Sequence, residues 1–253
     1  MFYLRLLLAV IGVGIASTYG IALTLIREDR SGVPRGFAGA LRRLVHPILG
    51  LRVRSQGMEH LSSAQPCVYV VNHQSAFDVP VLSGLYPANT VLVAKKELRD
   101  IPLFGWLYAA TGNILIDRER NSSAVQQLRE AEEAIRDRGV SVWMFPEGTR
   151  GRVAGRILPF KKGAFYLAIA AQVPIVPVVV SPVLDLYNVA KRYIHPGTIE
   201  VRVLPPIPTA GCTEKDVPAV LEEVHRQMSR TIGELKTSRA EVGTTIPERR
   251  MAP

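Results

Sequence analysis

The sequence predicts an α/β fold, a single domain with a mostly buried mixed sheet flanked by helices. A membrane helix and a short interfacial helix are expected to precede it. Three observations lead to this expectation. Short β-rich runs alternate with helical patterns after Gly57, which is typical of helices packed on a sheet. A chain of 253 residues, 47% of them hydrophobic, can build one sizeable core. The first part of the chain contains a long uncharged stretch.

That uncharged stretch, "LLLAVIGVGIASTYGIALTLI" at 6–26, is 21 residues long. A helix of this length spans roughly 31 Å, which matches the hydrocarbon core of a bilayer. The alternative is a cleaved signal peptide, although its apolar run is normally shorter. Basic residues follow the stretch far more often than they precede it, and this bias predicts that the rest of the chain lies on the cytoplasmic side. The membrane itself is expected to be the inner or plasma membrane if the source is bacterial, and that of the endoplasmic reticulum if the source is eukaryotic.

The second segment, "FAGALRRLVHPILGL" at 37–51, places its apolar residues along one helical face. Pro47 is expected to bend or end a helix there. We interpret the segment as an interfacial helix on the lipid surface. A helix packed on the domain fits the same periodicity. Residues 1–56 are therefore the predicted membrane-anchor region.

The remaining chain is predicted to form one α/β domain at 57–236, with a flexible tail at 237–253. Apolar runs rich in β-branched residues predict the strands. A Ser cap, a following Gly and apolar periodicity predict the helices. The predicted strands are 67–71, 90–95, 113–116, 140–145, 175–180 and 198–204, and the predicted helices are 122–139, 163–172 and 214–236.

Charge and cysteine content restrict the class of partner. The formal net charge is +9 and the pI is near 9.8, so an anionic partner is expected. No basic-aromatic module is visible and a membrane anchor is predicted, so nucleic acid is disfavoured. Cys67 and Cys212 are far apart, which argues against a disulfide scaffold or a zinc site.

Three polar stretches follow predicted strands. "NHQSAFD" follows the strand at 67–71, "IDR" ends the strand at 113–116, and "PEGTRGR" follows the strand at 140–145. Open α/β sheets place ligand sites at the carboxyl ends of their strands. We therefore expect the three loops to converge on one site.

His73 and Asp78 are the candidate acid–base pair. A neutral imidazole is a natural general base near neutral pH, and a carboxylate on its other nitrogen fixes the tautomer. A spacing of five suits a turn in which Asp78 begins a helix and points back. The alternative is that Asn72 or Ser75 only caps that helix and His73 lies on the surface. Ser75 lacks the G-x-S-x-G context of a hydrolase nucleophile.

The stretch "FPEGTRGR" is the candidate anion site. Its glycines allow close backbone approach, and Arg150 offers a planar fork suited to phosphate oxygens. Glu147 can hold an arginine or bond a substrate hydroxyl. Arg118 is either a second phosphate clamp or the partner of Asp117. A polar turn with a surface ion pair is the alternative.

Taken together, "NHQSAFD", "GNILIDR", "FPEGTR" and "VPIVPVVV" resemble the four ordered motifs of the glycerophospholipid acyltransferases. The resemblance is strongest to the 1-acylglycerol-3-phosphate acyltransferases and covers roughly 50–235. Gly151 stands where that family often has Ser or Asn, and the second N-terminal helix is weakly apolar.

The resemblance implies roles for individual residues. It makes His73 and Asp78 catalytic, and it places Pro177 in the acyl-donor region, where an ordinary strand-edge proline is the alternative. The residues that it implies for binding the acceptor and its phosphate are Arg118, Glu147, Gly148, Thr149 and Arg150.

The resemblance also implies a reaction, the transfer of an acyl chain from acyl-CoA or acyl carrier protein to the sn-2 hydroxyl of 1-acylglycerol-3-phosphate. The product is phosphatidic acid, an intermediate of phospholipid synthesis. The expected partners are lysophosphatidic acid, the acyl thioester and the bilayer, with no metal, no nucleic acid and no cofactor beyond the thioester co-substrate. Alternatives are glycerol-3-phosphate or another lysophospholipid as acceptor, or a non-catalytic protein that binds anionic lipid.

Overall fold

The computed structural model describes residues 1–26, 32–116, 121–151 and 153–244. The helices within these ranges are α1 (Phe2–Ile26), α2 (Val33–Leu49), α3 (His60–Ser63), α4 (Asp78–Leu82), α5 (Phe104–Ala110), α6 (Asn121–Arg138), α7 (Gly163–Ala170) and α8 (Val217–Thr244). The strands are β1 (Leu51–Gln56), β2 (Val68–Val71), β3 (Thr90–Lys95), β4 (Ile114–Ile116), β5 (Ser141–Met144), β6 (Ile175–Val180), β7 (Tyr187–Asn188), β8 (Tyr193–Ile194) and β9 (Gly197–Val203).

In the described part of the chain, seven strands form one sheet in the order β1-β9-β6-β2-β5-β3-β4. Strands β6, β2, β5, β3 and β4 are parallel to one another. Strand β9 is antiparallel to β6 and parallel to β1. The prediction of a mixed sheet flanked by helices is therefore confirmed, and five carboxyl ends of strands meet at one edge of the sheet.

The core lies on both faces of the sheet. Val68 and Val70 of β2 point into a cluster that includes residues of α6, α7 and α8. Tyr69 and Val71 point to the opposite face, into a cluster that includes residues of α1 and α2. Successive side chains of a strand point to opposite faces, so both of these faces must be apolar. This double burial explains why the central strands appear as continuous apolar runs.

The predicted strands are observed, with ends that differ by no more than one residue. Strand β1 and the hairpin β7–β8 were missed. In β1, "LRVRSQ", Leu51 is the buried residue and most of the others are exposed. A polar strand at the sheet edge gives no apolar run to detect. Because β1 pairs with β9, the sheet starts before residue 57, where the domain was predicted to begin.

Helix α1 starts four residues earlier than the predicted stretch and reaches a mean hydropathy of 2.1. Within the described ranges it is the one helix long and apolar enough to cross a membrane, by length and composition. Helix α2 contains Pro47 and ends two residues after it, at Leu49. Gly50 follows with a left-handed backbone and caps the helix.

The apolar face of α2 is covered by protein. Its buried residues Leu41, Val45 and Leu49 belong to the core cluster that also contains Tyr69 of β2. This packing favours the alternative, a helix packed on the domain. The placement of the segment at a lipid surface stays a prediction. Periodicity alone did not separate the two, because lipid and a protein core both select one apolar face.

Helix α8 continues to Thr244. The first residues of the segment predicted as a flexible tail, 237–244, are therefore helical. Their polar composition predicted fraying, but a continuous α8 carries the helix past the predicted end of the domain.

Candidate active site

Two of the three polar loops meet at the edge formed by the carboxyl ends of the parallel strands. Strands β2 and β5 are adjacent, so the loops that follow them, 72–77 and 145–151, start side by side. Strand β4 ends at the same edge, two positions beyond β5. Residues 117–120, which include Arg118, follow β4 and lie outside the described part of the chain.

His73 and Asp78 are in direct contact, with 2.7 Å between Nδ1 and Oδ2. Asp78 is completely buried and is the first residue of α4. Its Oδ2 also accepts hydrogen bonds from the backbone N–H groups of Gln74 and Ser75, at 2.7 and 3.0 Å. These two donors hold the carboxylate against the imidazole, which is the turn geometry that the spacing predicted.

The His73 ring is partly accessible, with 18% of the side chain exposed. It stacks on Phe145, and the ring centroids are 4.3 Å apart. Asp78 occupies Nδ1, and Nε2 has no hydrogen-bond partner among the described residues. A carboxylate on Nδ1 selects the tautomer whose Nε2 can accept a proton. The arrangement is therefore able to deprotonate a hydroxyl group placed at Nε2.

The loop that carries His73 is fastened to the end of β6. The side-chain amide of Asn72 donates to the carbonyl oxygen of Val180 and accepts from its N–H, at 3.0 and 2.7 Å. Gln74 donates to the carbonyl oxygens of Val180 and Ser181, at 3.1 Å each, and accepts from Val183 N–H at 3.1 Å. Asn72 therefore does not cap α4, and the alternative that made Asn72 a helix cap is wrong.

Glu147 fastens the same loop from the other side. Its Oε1 accepts from the backbone N–H of His73 at 2.7 Å, and its Oε2 accepts from that of Leu158 at 2.9 Å. The residue is 4% exposed. Burial raises the pKa of this carboxyl, although the two amide donors oppose the shift. Both oxygens bind backbone groups, so the structure gives Glu147 a positioning task. The predicted contact of Glu147 with the acceptor stays a prediction.

The rest of the third motif forms a tight turn next to His73. Gly148 has φ +67°, and a Cβ there would lie 2.7 Å from Cε of Lys161. Gly151 N–H donates to the carbonyl oxygen of His73 at 2.8 Å. Thr149 and Arg150 lie between these two glycines and are exposed. The turn therefore presents a hydroxyl and a guanidinium close to the loop that carries His73.

Pro177 lies in β6, between β9 and β2, and is opposite Val70 in the register. The strand-edge interpretation is therefore wrong. Proline lacks only the N–H, and the carbonyl oxygen of Pro177 still accepts from Leu204 N–H at 2.9 Å. The prediction that Pro177 belongs to the acyl-donor region stays a prediction.

Sequence reasoning missed the groups that support the pair. Phe145 and Gln74 were not singled out, and Asn72 was considered only as an alternative helix cap. One signal was available for the first motif: Asn72 and Gln74 are amide side chains beside a fully buried strand, and buried amides need hydrogen-bond partners.

The fold and the site together define an α/β enzyme. The model of the acyltransferase family matches residues 52–181. The chain is 42% identical to human 1-acyl-sn-glycerol-3-phosphate acyltransferase beta, over 78% of this chain and 70% of that protein. It is 36% identical to the Escherichia coli 1-acyl-sn-glycerol-3-phosphate acyltransferase, over 95% of this chain and 97% of that protein.

A solved structure is similar as well. The crystal structure of the 1-acyl-sn-glycerophosphate acyltransferase of Thermotoga maritima matches with a TM-score of 0.73 and 25% identity, covering 93% of this chain and 95% of that one. This chain belongs to the acyltransferase family. The resemblance to the 1-acylglycerol-3-phosphate acyltransferases that the motifs indicated is confirmed.

Proposed function

We propose that the chain transfers an acyl group from a thioester donor to the sn-2 hydroxyl of 1-acylglycerol-3-phosphate, giving phosphatidic acid for phospholipid synthesis. The relatives named above support the acceptor. The observation that carries the chemistry is the 2.7 Å contact between His73 Nδ1 and the buried Asp78 carboxylate. It leaves Nε2 of the partly exposed ring as the proton acceptor.

The proposed reaction begins when the sn-2 oxygen attacks the thioester carbonyl carbon and His73 Nε2 takes the hydroxyl proton. The imidazolium formed is stabilised by Asp78. The tetrahedral intermediate then collapses, the C–S bond breaks, and the leaving sulfur takes the proton from Nε2. The products are the ester and the free thiol carrier. General-base assistance of this kind contributes about 10²–10⁴-fold, and alignment of the two substrates adds to it.

Arg150 and Arg118 are the proposed phosphate ligands of the acceptor. Arg150 is exposed on the turn whose next residue, Gly151, bonds the His73 carbonyl oxygen at 2.8 Å. A phosphate held there would place its glycerol backbone near the imidazole. Gly148 and Thr149 belong to the same proposed acceptor site, where Thr149 supplies a hydroxyl and the N–H of Gly148 holds the turn by donating to the carbonyl oxygen of Phe145 at 3.2 Å. Glu147 acts by keeping the two loops in register, because both of its oxygens are already bonded.

The donor is an acyl thioester, carried by CoA or by acyl carrier protein, and Pro177 marks its proposed region. No metal and no further cofactor take part in the proposed steps.

The proposed setting is a membrane surface, with α1 in the bilayer and the catalytic domain on its cytoplasmic side. In this proposal α1 anchors the catalytic domain, whose sheet begins at Leu51. Two points support it. Helix α1 has the length and hydropathy of a membrane span, and lysophosphatidate and phosphatidate both reside in bilayers. A site at the lipid surface would receive the acceptor and release the product without moving either through water.

The test incubates purified protein with labelled acyl-CoA or acyl carrier protein and, in separate arms, lysophosphatidate, glycerol-3-phosphate or another lysophospholipid. The product is identified by mass. We expect phosphatidate from lysophosphatidate and loss of product in His73→Ala. The matched control is His195→Ala, a change at an exposed histidine between β8 and β9. Preferred acylation of another acceptor, or full activity of His73→Ala, would contradict the proposal.

A further inference from the structure

A large aromatic side chain stands exposed on a segment that the proposed reaction does not use. The 96–110 segment consists of a 3-10 turn, Lys96–Asp100, followed by helix α5. Trp106 is 67% exposed and Ile101 is 44% exposed. An open groove of about 760 Å³ is lined by Trp106 and Pro102. Tryptophan is seldom left in water to this extent unless something covers it.

The exposure of Trp106 is built into a fixed frame. A Cβ at Gly105 would lie 2.2 Å from the carbonyl oxygen of Arg99, so the 3-10 turn packs directly on α5. On the side of α5 away from Trp106, the buried Tyr108 donates its hydroxyl to the carbonyl oxygen of Leu92 at 2.7 Å. Trp106 therefore cannot turn inward without breaking these contacts.

The same helix is joined to the N-terminal helices. Leu107 packs into the space that a side chain at Gly20 of α1 would occupy, at 2.7 Å from the position of its Cβ. Phe104 contacts Phe37 of α2, with 6.0 Å between ring centroids. The surface that carries Trp106 is therefore continuous with α1, whose outer side exposes many large apolar residues.

Helix α1 lies against the rest of the protein along most of its length. Arg5 donates to the carbonyl oxygen of Ile194 at 3.2 Å, and a Cβ at Gly12 would lie 3.1 Å from Val45 of α2. The side of α1 that can meet lipid is therefore its exposed outer side, and the adjoining α5 carries Trp106 near the level of Gly20. Tyr19, at the same level of α1, is 48% exposed. Tryptophan and tyrosine are enriched at the boundary between lipid and water.

The charges around the groove agree with such a location. Arg99 and Asp100 line it together with Pro102, Trp106 and Ala109. A long arginine side chain can keep its apolar part beside lipid and its guanidinium among phosphate headgroups. Asp100 adds one negative charge, so we attribute the affinity of this surface mainly to its aromatic and aliphatic groups.

We propose that the 96–110 segment is a second lipid-contacting element, in which Trp106 and Ile101 insert into the headgroup boundary of the leaflet that contains the end of α1. The inference rests on the proposed membrane setting of the enzyme. It adds a rigid contact between the catalytic domain and the bilayer. Strand β3, which precedes the segment, ends at the same sheet edge as the strands before the His73 and Gly148 loops, so this contact would hold the active-site edge close to the lipid surface.

Fluorescence tests this directly, because the chain contains two tryptophans and the other one, Trp143, is only 2% exposed. The full-length protein is reconstituted into vesicles of equal parts phosphatidylcholine and phosphatidylglycerol. The phosphatidylcholine is brominated either near the headgroup or near the end of the acyl chain. Trp106→Phe gives the background emission of Trp143, and Trp143→Phe isolates Trp106. If Trp143→Phe does not fold, the difference between wild type and Trp106→Phe supplies the same signal.

We expect Trp106 emission to shift to the blue in vesicles, to be lost more strongly with bromine near the headgroup, and to be protected from aqueous iodide. Emission that stays open to iodide and unchanged by either brominated lipid would overturn the inference. So would protection without lipid quenching, which would indicate a second copy of the chain on this surface. Flotation of the same vesicles reports anchoring by α1, and acyl transfer is assayed separately. A failure of either earlier proposal is therefore distinguishable from a failure of this one.

Discussion

Replacing Asp78 by Asn is the sharpest test of the proposed mechanism. The carboxylate is completely buried and lies 2.7 Å from Nδ1 of His73. Asparagine has the same shape but carries no charge. The ground state loses little, because the neutral imidazole has no charge for the carboxylate to attract. The transition state loses more, because His73 becomes positively charged there.

The size of the loss follows from the separation of the charges. Two unit charges with centres about 4 Å apart interact with about 4 kcal/mol at an effective dielectric constant of about 20. At about 1.4 kcal/mol for each tenfold change in rate, kcat is expected to fall by about 10³-fold. The KM values of both substrates should change little, because Asp78 has no exposed surface with which to touch them.

The assay measures initial rates of product formation over a range of each substrate, for wild type, Asp78→Asn and Asp137→Asn. Asp137 is an exposed aspartate of α6 and is the matched control. Circular dichroism checks that all three proteins are folded. A loss of kcat of less than about tenfold, in a folded Asp78→Asn enzyme, would refute the role assigned to the carboxylate.

Three further predictions concern the loops around the pair. Arg118→Ala should raise the acceptor KM by about 10- to 100-fold, as expected for a lost hydrogen bond to a charged group. The control Arg136→Ala, on the exposed face of α6, should leave the acceptor KM unchanged. An unchanged acceptor KM in Arg118→Ala would exclude the phosphate-binding role of Arg118. Glu147→Gln should lower the free energy of unfolding by about 1–3 kcal/mol, because an amide cannot accept from both buried N–H groups. The pKa of Glu147 is raised, so the contribution of its ionisation to stability is present below the unfolded pKa of 4.5 and declines as pH rises through the folded pKa. Denaturant titrations should therefore show that the difference in unfolding free energy between wild type and Glu147→Gln narrows over that rise in pH. A widening difference would contradict the sign of the shift. Gly148→Ala and Gly139→Ala should each lower the free energy of unfolding by about 1–2 kcal/mol, because both glycines have a left-handed backbone. Only Gly148→Ala should also lower kcat/KM, because Gly139 has open space around it. Equal activity of the two variants would argue against a functional turn at Gly148.

Local sequence patterns were sufficient for much of this fold. The central strands carry continuous apolar runs because both faces of the sheet are covered, and such a run is visible without knowing its neighbours. For β3 and β6 the predicted bounds agree fully with the observed ones. The His73–Asp78 contact was also within reach, because its two residues are five apart in a single turn.

The contacts that sequence reasoning missed share a cause, which is that the deciding partner is distant in the chain. Glu147 next to Arg150 suggested an ion pair or a substrate ligand, but its partner His73 is 74 positions away. Asn72 resembled a helix cap, but it bonds Val180, which is 108 positions away. Pro177 resembled an edge residue until β9 was placed beside β6. No local pattern carries this information.

The sequence by itself determined the α/β class, the long apolar first helix, and the placement of the polar motifs after strands, because each of these depends on near neighbours. The tertiary structure decided which loops touch, which of two environments covers the apolar face of α2, and that Trp106 stays outside. These outcomes depend on packing between segments far apart in the chain. Burial and hydrogen bonding are satisfied only once those segments have met.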